Sequence, residues 1–141
     1  MKLILLILFI TIFSCANAQE IPKGMNVIVV SGTCFDSVVV KVLDNGFFFQ
    51  TKDTASKSLT TQPKYWSGGM GGNIIINIRV KDSTAYISGL YNVNAKLGDM
   101  DFRDYTPVLS AKSKGMFRSL PFEEMNKLAL SLHGLITYQK L

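Results

Sequence analysis

The sequence predicts an α+β domain: an antiparallel sheet of four to six strands with two helices packed on one face, in the order β-α-β-β-β-β-α with a possible final strand. Two segments, Phe35 to Leu43 and Phe122 to Leu132, carry apolar residues at the helical period. Between them lies a run of consecutive strand-like segments, which must pair mainly as an antiparallel meander. Two amphipathic helices then need one sheet face to cover, and the opposite face is left open or used.

Each element has a local reason. Met25 to Val30 is a β-branched run and reads as a strand. Ser31-Gly32-Thr33 follows, and Thr33 with Asp36 three residues later resembles a capping box. Phe35, Val38, Val39, Val42 and Leu43 make one stripe of a helix, which Asn45-Gly46 ends because glycine tolerates the left-handed stop. Phe47 to Thr51 and Lys57 to Gln62 are the next strands, around the polar turn 52–56. The segment Pro63 to Asn73, with Gly68-Gly69-Met70-Gly71-Gly72, is predicted to be a loop. Ile74 to Val80 and Thr84 to Tyr91 form a hairpin around Lys81-Asp82-Ser83. Asn92 to Met116 reads as long and irregular. A Ser119 cap, Pro121 and two glutamates open the second helix, whose face is Phe122, Met125, Leu128, Ala129 and Leu132. Gly134 is expected to stop it, and Leu135 to Gln139 adds a last short strand.

The first 18 residues read as an export signal: Lys2, an apolar run from Leu3 to Phe13, then Ala16 and Ala18 at −3 and −1 before Gln19. The run is too short to span a hydrocarbon core of ~30 Å as a helix. A second processing route competes, because Ile12-Phe13-Ser14-Cys15 also resembles a loose lipobox; lipidation of Cys15 would tether the chain to a membrane. Residues 19–24 then form an N-terminal extension and 25–141 a single domain. Removing 18 of 141 residues leaves 123, enough for one core. Removing Lys2 leaves 14 basic and 10 acidic residues, a net charge of +4 without a dense basic block, which argues against nucleic acid. The mean hydropathy of +0.23 is inflated by the leader.

The order of elements resembles the TATA-binding-protein-like (helix-grip) arrangement of small secreted and lipoprotein domains of unknown function from Gram-negative bacteria. The stretches that carry the resemblance are Val27 to Val30, the helix Phe35 to Leu43 ending in Asp44-Asn45-Gly46-Phe47, the hairpin Ile74 to Tyr91 and Phe122 to Met125. It is a likeness of topology, it implies no functional residues, and 92–116 departs from the plain pattern.

Few residues invite chemistry. After cleavage at Ala18 only Cys34 remains, so no intramolecular disulfide forms; its register with Val38 and Val42 predicts a buried core thiol. One Cys and one His cannot close a zinc site, and His133 is expected to complement a helix C-terminus. The glycine cluster runs into a strand with no Lys following, so it reads as a mobile loop rather than a phosphate cradle. Asp99, Asp101 and Asp104 lack the spacing of a calcium loop. Tyr65 and Trp66 are the candidate binding residues: Trp66 is expected to be at least partly exposed beside the glycine loop, and packing over a sheet edge is the competing reading. The function expected is an exported, non-enzymatic binding or envelope-associated domain that uses the open sheet face and the Trp66 loop. Its partner would be a protein or envelope component, with no cofactor, no nucleic acid, and membrane contact only through a lipidated Cys15. The alternative is a small secreted hydrolase or enzyme inhibitor using 92–116.

Overall fold

The computed structural model describes residues 20–67, 71–97, 100–101, 103–111 and 119–141. The export signal, the cleavage residues Ala16, Ala18 and Gln19, Cys15, Asp99, and the centre of the glycine cluster at 68–70 lie outside the described residues.

The trunk is a hairpin of two long strands, β5 (Gly72–Lys81) and β6 (Thr84–Val93), paired in register from Gly72↔Val93 to Lys81↔Thr84. Asp82 and Ser83 turn the chain with φ of 48° and 56°. Two successive left-handed residues fit the right-handed twist of the flanking strands, the reason such turns close two-residue hairpins. Neither is glycine. The turn is fastened from outside: the amides of Gly32 and Thr33 both donate to the Ser83 carbonyl, at 2.9 and 3.0 Å.

Strands β1 (Val27–Ser31), β2 (Phe49–Asp53), β3 (Ser58–Thr61) and β10 (Leu135–Gln139) extend the trunk into an antiparallel sheet in the order β10-β1-β6-β5-β3-β2. Short strands β4 (Lys64–Trp66) and β9 (Thr106–Pro107) add to β5 and β6 respectively, which makes eight strands. The expectation of four to six is corrected. β4 sits where a loop was expected, and β9 sits in the stretch read as irregular. That stretch also holds a two-stranded ribbon, β7 (Lys96–Leu97) with β8 (Met100–Asp101). Two- and three-residue strands carry too few residues for a period to show, so they escape pattern reading. Pro63 separates β3 from β4 along the same side of β5, since proline has no amide to give the ladder.

Helices α1 (Phe35–Asp44) and α2 (Leu120–Ser131) follow the predicted periods closely. Their buried residues Phe35, Val38, Val42, Phe122, Met125, Leu128 and Ala129 join one cluster with Ile28, Val30, Ile74, Ile76, Ile78, Val80, Ala85 and Ile87. The strand residues of that set alternate along each strand and match across the ladder (Ile28↔Ile87, Ile87↔Ile78, Ile78↔Leu59), so they share a face. Leu43, placed on the α1 stripe by spacing, is exposed instead.

Three capping expectations change. Cys34, not Thr33, is the N-cap of α1, and Thr33 lies buried with its hydroxyl unpaired. Ser119 caps α2 in sequence, but its hydroxyl donates to the Glu123 carboxylate at 2.9 Å. His133 takes the left-handed position after α2, at φ 55°, that was assigned to Gly134. Gly134 serves close approach: a Cβ there would collide with the Ser31 carbonyl oxygen of β1.

Ser83→Gly should raise stability by about 0.5–1 kcal/mol in urea denaturation, because glycine holds a positive φ without the steric cost of a Cβ. Gly134→Ala should lower it by about 1–3 kcal/mol, since backbone rather than a flexible side chain must yield.

Candidate functional site

The expected aromatic site does not survive folding. Trp66 is only 5% exposed and belongs to the core cluster, while its neighbour Tyr65 is 61% exposed. Both belong to β4, whose alternation sends them to opposite faces. The glycines explain the arrangement. Trp66 pairs with Gly72, where a Cβ would meet the indole and collide with the Asn92 carbonyl oxygen. A Cβ on Gly71 would collide with the Tyr65 hydroxyl. These two glycines make room for aromatic rings laid across them. The indole Nε1 is buried without a hydrogen-bond partner.

Cys34 is likewise corrected: the thiol is exposed, because the N-cap residue sits outside the helical register that would have buried it. Ser37 Oγ lies 3.1 Å from its sulfur and holds the thiol below its ordinary pKa, with the amides at the helix start adding to the effect. His133 is exposed beyond the end of α2. Asp104 is exposed, and no group of three or more metal-ligating side chains occurs among the described residues.

The arrangement that the sequence reading left without residues is the sheet face away from the cluster. Register places two rows across it. One runs Thr60–Asn77–Ser88–Val27, and the next runs Ser58–Arg79–Tyr86–Val29. With strands about 4.8 Å apart, each row is ~15 Å wide. Between them lies a groove of about 240 Å³ lined by residues of both rows and by Leu141. The Thr60 hydroxyl donates to Asn77 Oδ1 at 2.9 Å, and the half-buried Asn77 NH₂ has no partner among the described residues. Among the described residues Arg79 has no ion pair, and no lining side chain is acidic. The nearest carboxylate in register, Asp53 opposite Ser58, is held by its own turn. Ser56 Oγ and the amides of Ser56 and Ala55 bond it and keep its pKa below the usual carboxylate value. Tyr86, 40% exposed, stands opposite Arg79. The alternation Asn77–Arg79 and Tyr86–Ser88 in the hairpin is the sequence signal that could have found this site.

Trp66 fluorescence should be blue-shifted and shielded from acrylamide, and Trp66→Ala should cost ~3–5 kcal/mol as a core truncation. Cys34 should react rapidly with a thiol reagent in the native protein. Its rate-versus-pH midpoint should rise in Ser37→Ala, because the variant loses the hydroxyl that favours the thiolate.

Comparison of the chain with protein-family models and with curated proteins finds no match.

Proposed function

We propose that the chain is an exported, non-enzymatic binding domain of the cell envelope or its surroundings, and that the sheet face away from the helices is its contact surface. The single observation that carries the reading is the pair of polar rows on that face. Asn77, Arg79, Tyr86 and Ser88 of those rows sit on β5 and β6, the two most extensively paired strands, so the backbone beneath them is fixed, yet Arg79, Tyr86, Ser88 and the Asn77 amide have no protein partner for their donors among the described residues.

The leader supports export, and Ile21 packing against the core supports a folded unit that begins soon after Gln19. Ser110 ties that start down: its hydroxyl donates to the Pro22 carbonyl at 2.6 Å and accepts from the Met25 amide at 2.8 Å. The N-terminal extension is thus part of the packed domain from about Ile21. Under the competing route, with an acyl chain on Cys15, the same domain would sit within a few residues of a membrane.

Among the described residues, the groups with shifted pKa values lie away from the groove. Cys34 and Asp53 have local turn or cap causes, and the Tyr138 phenol is pushed up by burial, partly offset by its bond to Asn126. None of the three lines the groove. An active site would be expected to gather such groups in one pocket.

Ser88→Trp fills the groove without touching the core. Binding of the mature domain to a sedimented envelope fraction should fall by about tenfold or more in that variant, a loss of ~1.4 kcal/mol or greater. Lys127→Ala, on the exposed side of α2, should leave binding unchanged. Equal binding by the wild type and Ser88→Trp would refute the assignment of the face.

A further inference from the structure

We propose that the groove on the open sheet face binds a single carboxylated sugar unit, a hexuronic acid within a glycan, with Arg79 reading the carboxylate and Tyr86 lying against the ring. The inference rests on the reading of that face as the contact surface and names its ligand class.

Charge argues for one negative charge. Arg79 is the only cationic side chain lining the groove and is unpaired among the described residues. Its planar fork matches a carboxylate through two parallel hydrogen bonds. A phosphate monoester brings about −1.5 to −2 charges at neutral pH and usually gathers several cations or a helix N-terminus. Neither helix starts at this groove: residues 34–36 and 119–121 are not among its lining.

Hydrogen-bond inventory argues for a hydroxylated ligand. Besides the guanidinium, the lining offers the Asn77 NH₂, whose oxygen already accepts from Thr60, and the hydroxyls of Ser88 and Tyr86; the Thr60 hydroxyl has given its proton to Asn77 and can only accept, and the Ser58 hydroxyl is shared with Ser56 at 2.7 Å. Hydroxyls both donate and accept, which suits a ring bearing alcohols at several angles. Tyr86 supplies a flat, half-exposed aromatic surface beside the cation.

Location argues against a peptide. Extended peptides gain affinity by adding to a sheet edge, where backbone groups are free. The groove is centred on β5 and β6, which have neighbours on both sides, β3 and β1, so their backbone groups are engaged in the ladder. Recognition there must be through side chains. Size sets the extent: about 240 Å³ lies below the roughly 300–1,000 Å³ of pockets that engulf a drug-sized ligand. One ring fits, and the rest of the glycan would run over the surface.

The test is titration of isotope-labelled mature domain with a trigalacturonate oligosaccharide, followed by amide and side-chain shifts. Shifts confined to Ser58, Asn77, Arg79, Tyr86 and Ser88 are expected. Arg79→Gln should weaken binding at least tenfold, as for loss of a charge-assisted pair, and Arg79→Lys should recover part of it. Both variants change an exposed side chain, and an unchanged melting temperature will show that they fold. Equal affinity for the neutral trigalactose would overturn the carboxylate assignment. Tighter binding at the same residues by a Glu-rich peptide or by galactose 6-phosphate would overturn the ligand class, and no shift at these residues would overturn the proposal outright. Failure of the ligand class and failure of the face are separable. If Ser88→Trp abolishes envelope binding while trigalacturonate shifts nothing, only the ligand class falls. If Ser88→Trp leaves envelope binding intact, the face itself is wrong.

Discussion

The in-register β5–β6 ladder decides where every other element can sit. Its alternation gives the sheet a face of Ile74, Ile76, Ile78, Val80, Ala85 and Ile87 and a face of Asn77, Arg79, Tyr86 and Ser88. A slip of β5 by one residue would turn its own set over, burying the Arg79 guanidinium and exposing Ile74, Ile76, Ile78 and Val80, so burial itself holds the register. Each long strand then offers its outer side to two shorter ones in succession. β5 takes β3 and β4, broken at Pro63, and β6 takes β1 and β9. The strained Asp82-Ser83 turn is tolerable because the connection from β1 to α1 hydrogen-bonds over it.

Elements far apart in sequence are tied by a few polar groups with several partners each. Lys64 of β4 donates to the Asn45 carbonyl at the end of α1 at 2.8 Å, pairs with Glu124 of α2 at 3.3 Å and lies 4.3 Å from the centre of the Phe47 ring. Its side chain and that of Glu124 are each about one-third exposed, so the ion pair is screened and worth little alone. The carbonyl bond at a helix C-terminus and the aromatic contact make the position selective for a cation. Asn92, nearly buried, accepts from the Asn73 amide at 2.9 Å and donates to the Arg103 carbonyl at 3.0 Å, anchoring part of the irregular segment to the trunk.

The two faces of one sheet divide the labour. The covered face spends its side chains on packing, and there glycines admit close approach: a Cβ at Gly89 would meet the Met125 sulfur of α2. The other face is built on the same ladder, and there Arg79, Tyr86, Ser88 and the Asn77 NH₂ have no partner among the described residues. Val27, nearly buried, lines the groove from β1, and Ser58 and Thr60 line it from β3. A rigid floor with unspent donors is preorganised, and little ordering entropy opposes a ligand that fits it.

The sequence by itself determined the fold class, both helices with their buried stripes, the central hairpin and the final strand. Those features arise from periods and turns within ten or twenty residues. Only the tertiary structure decided the exposure of single residues. Trp66 lies in a segment whose composition reads as loop, and pairing with Gly72 turned that segment into a strand and the indole into core. Cys34 was in register with a buried stripe, but at the cap position the register no longer applied. The candidate groove was invisible for the same reason: Ser58, Asn77, Arg79, Tyr86 and Ser88 are unremarkable one strand at a time. They become neighbours only when register stacks three strands side by side, and register is set by what the opposite face buries.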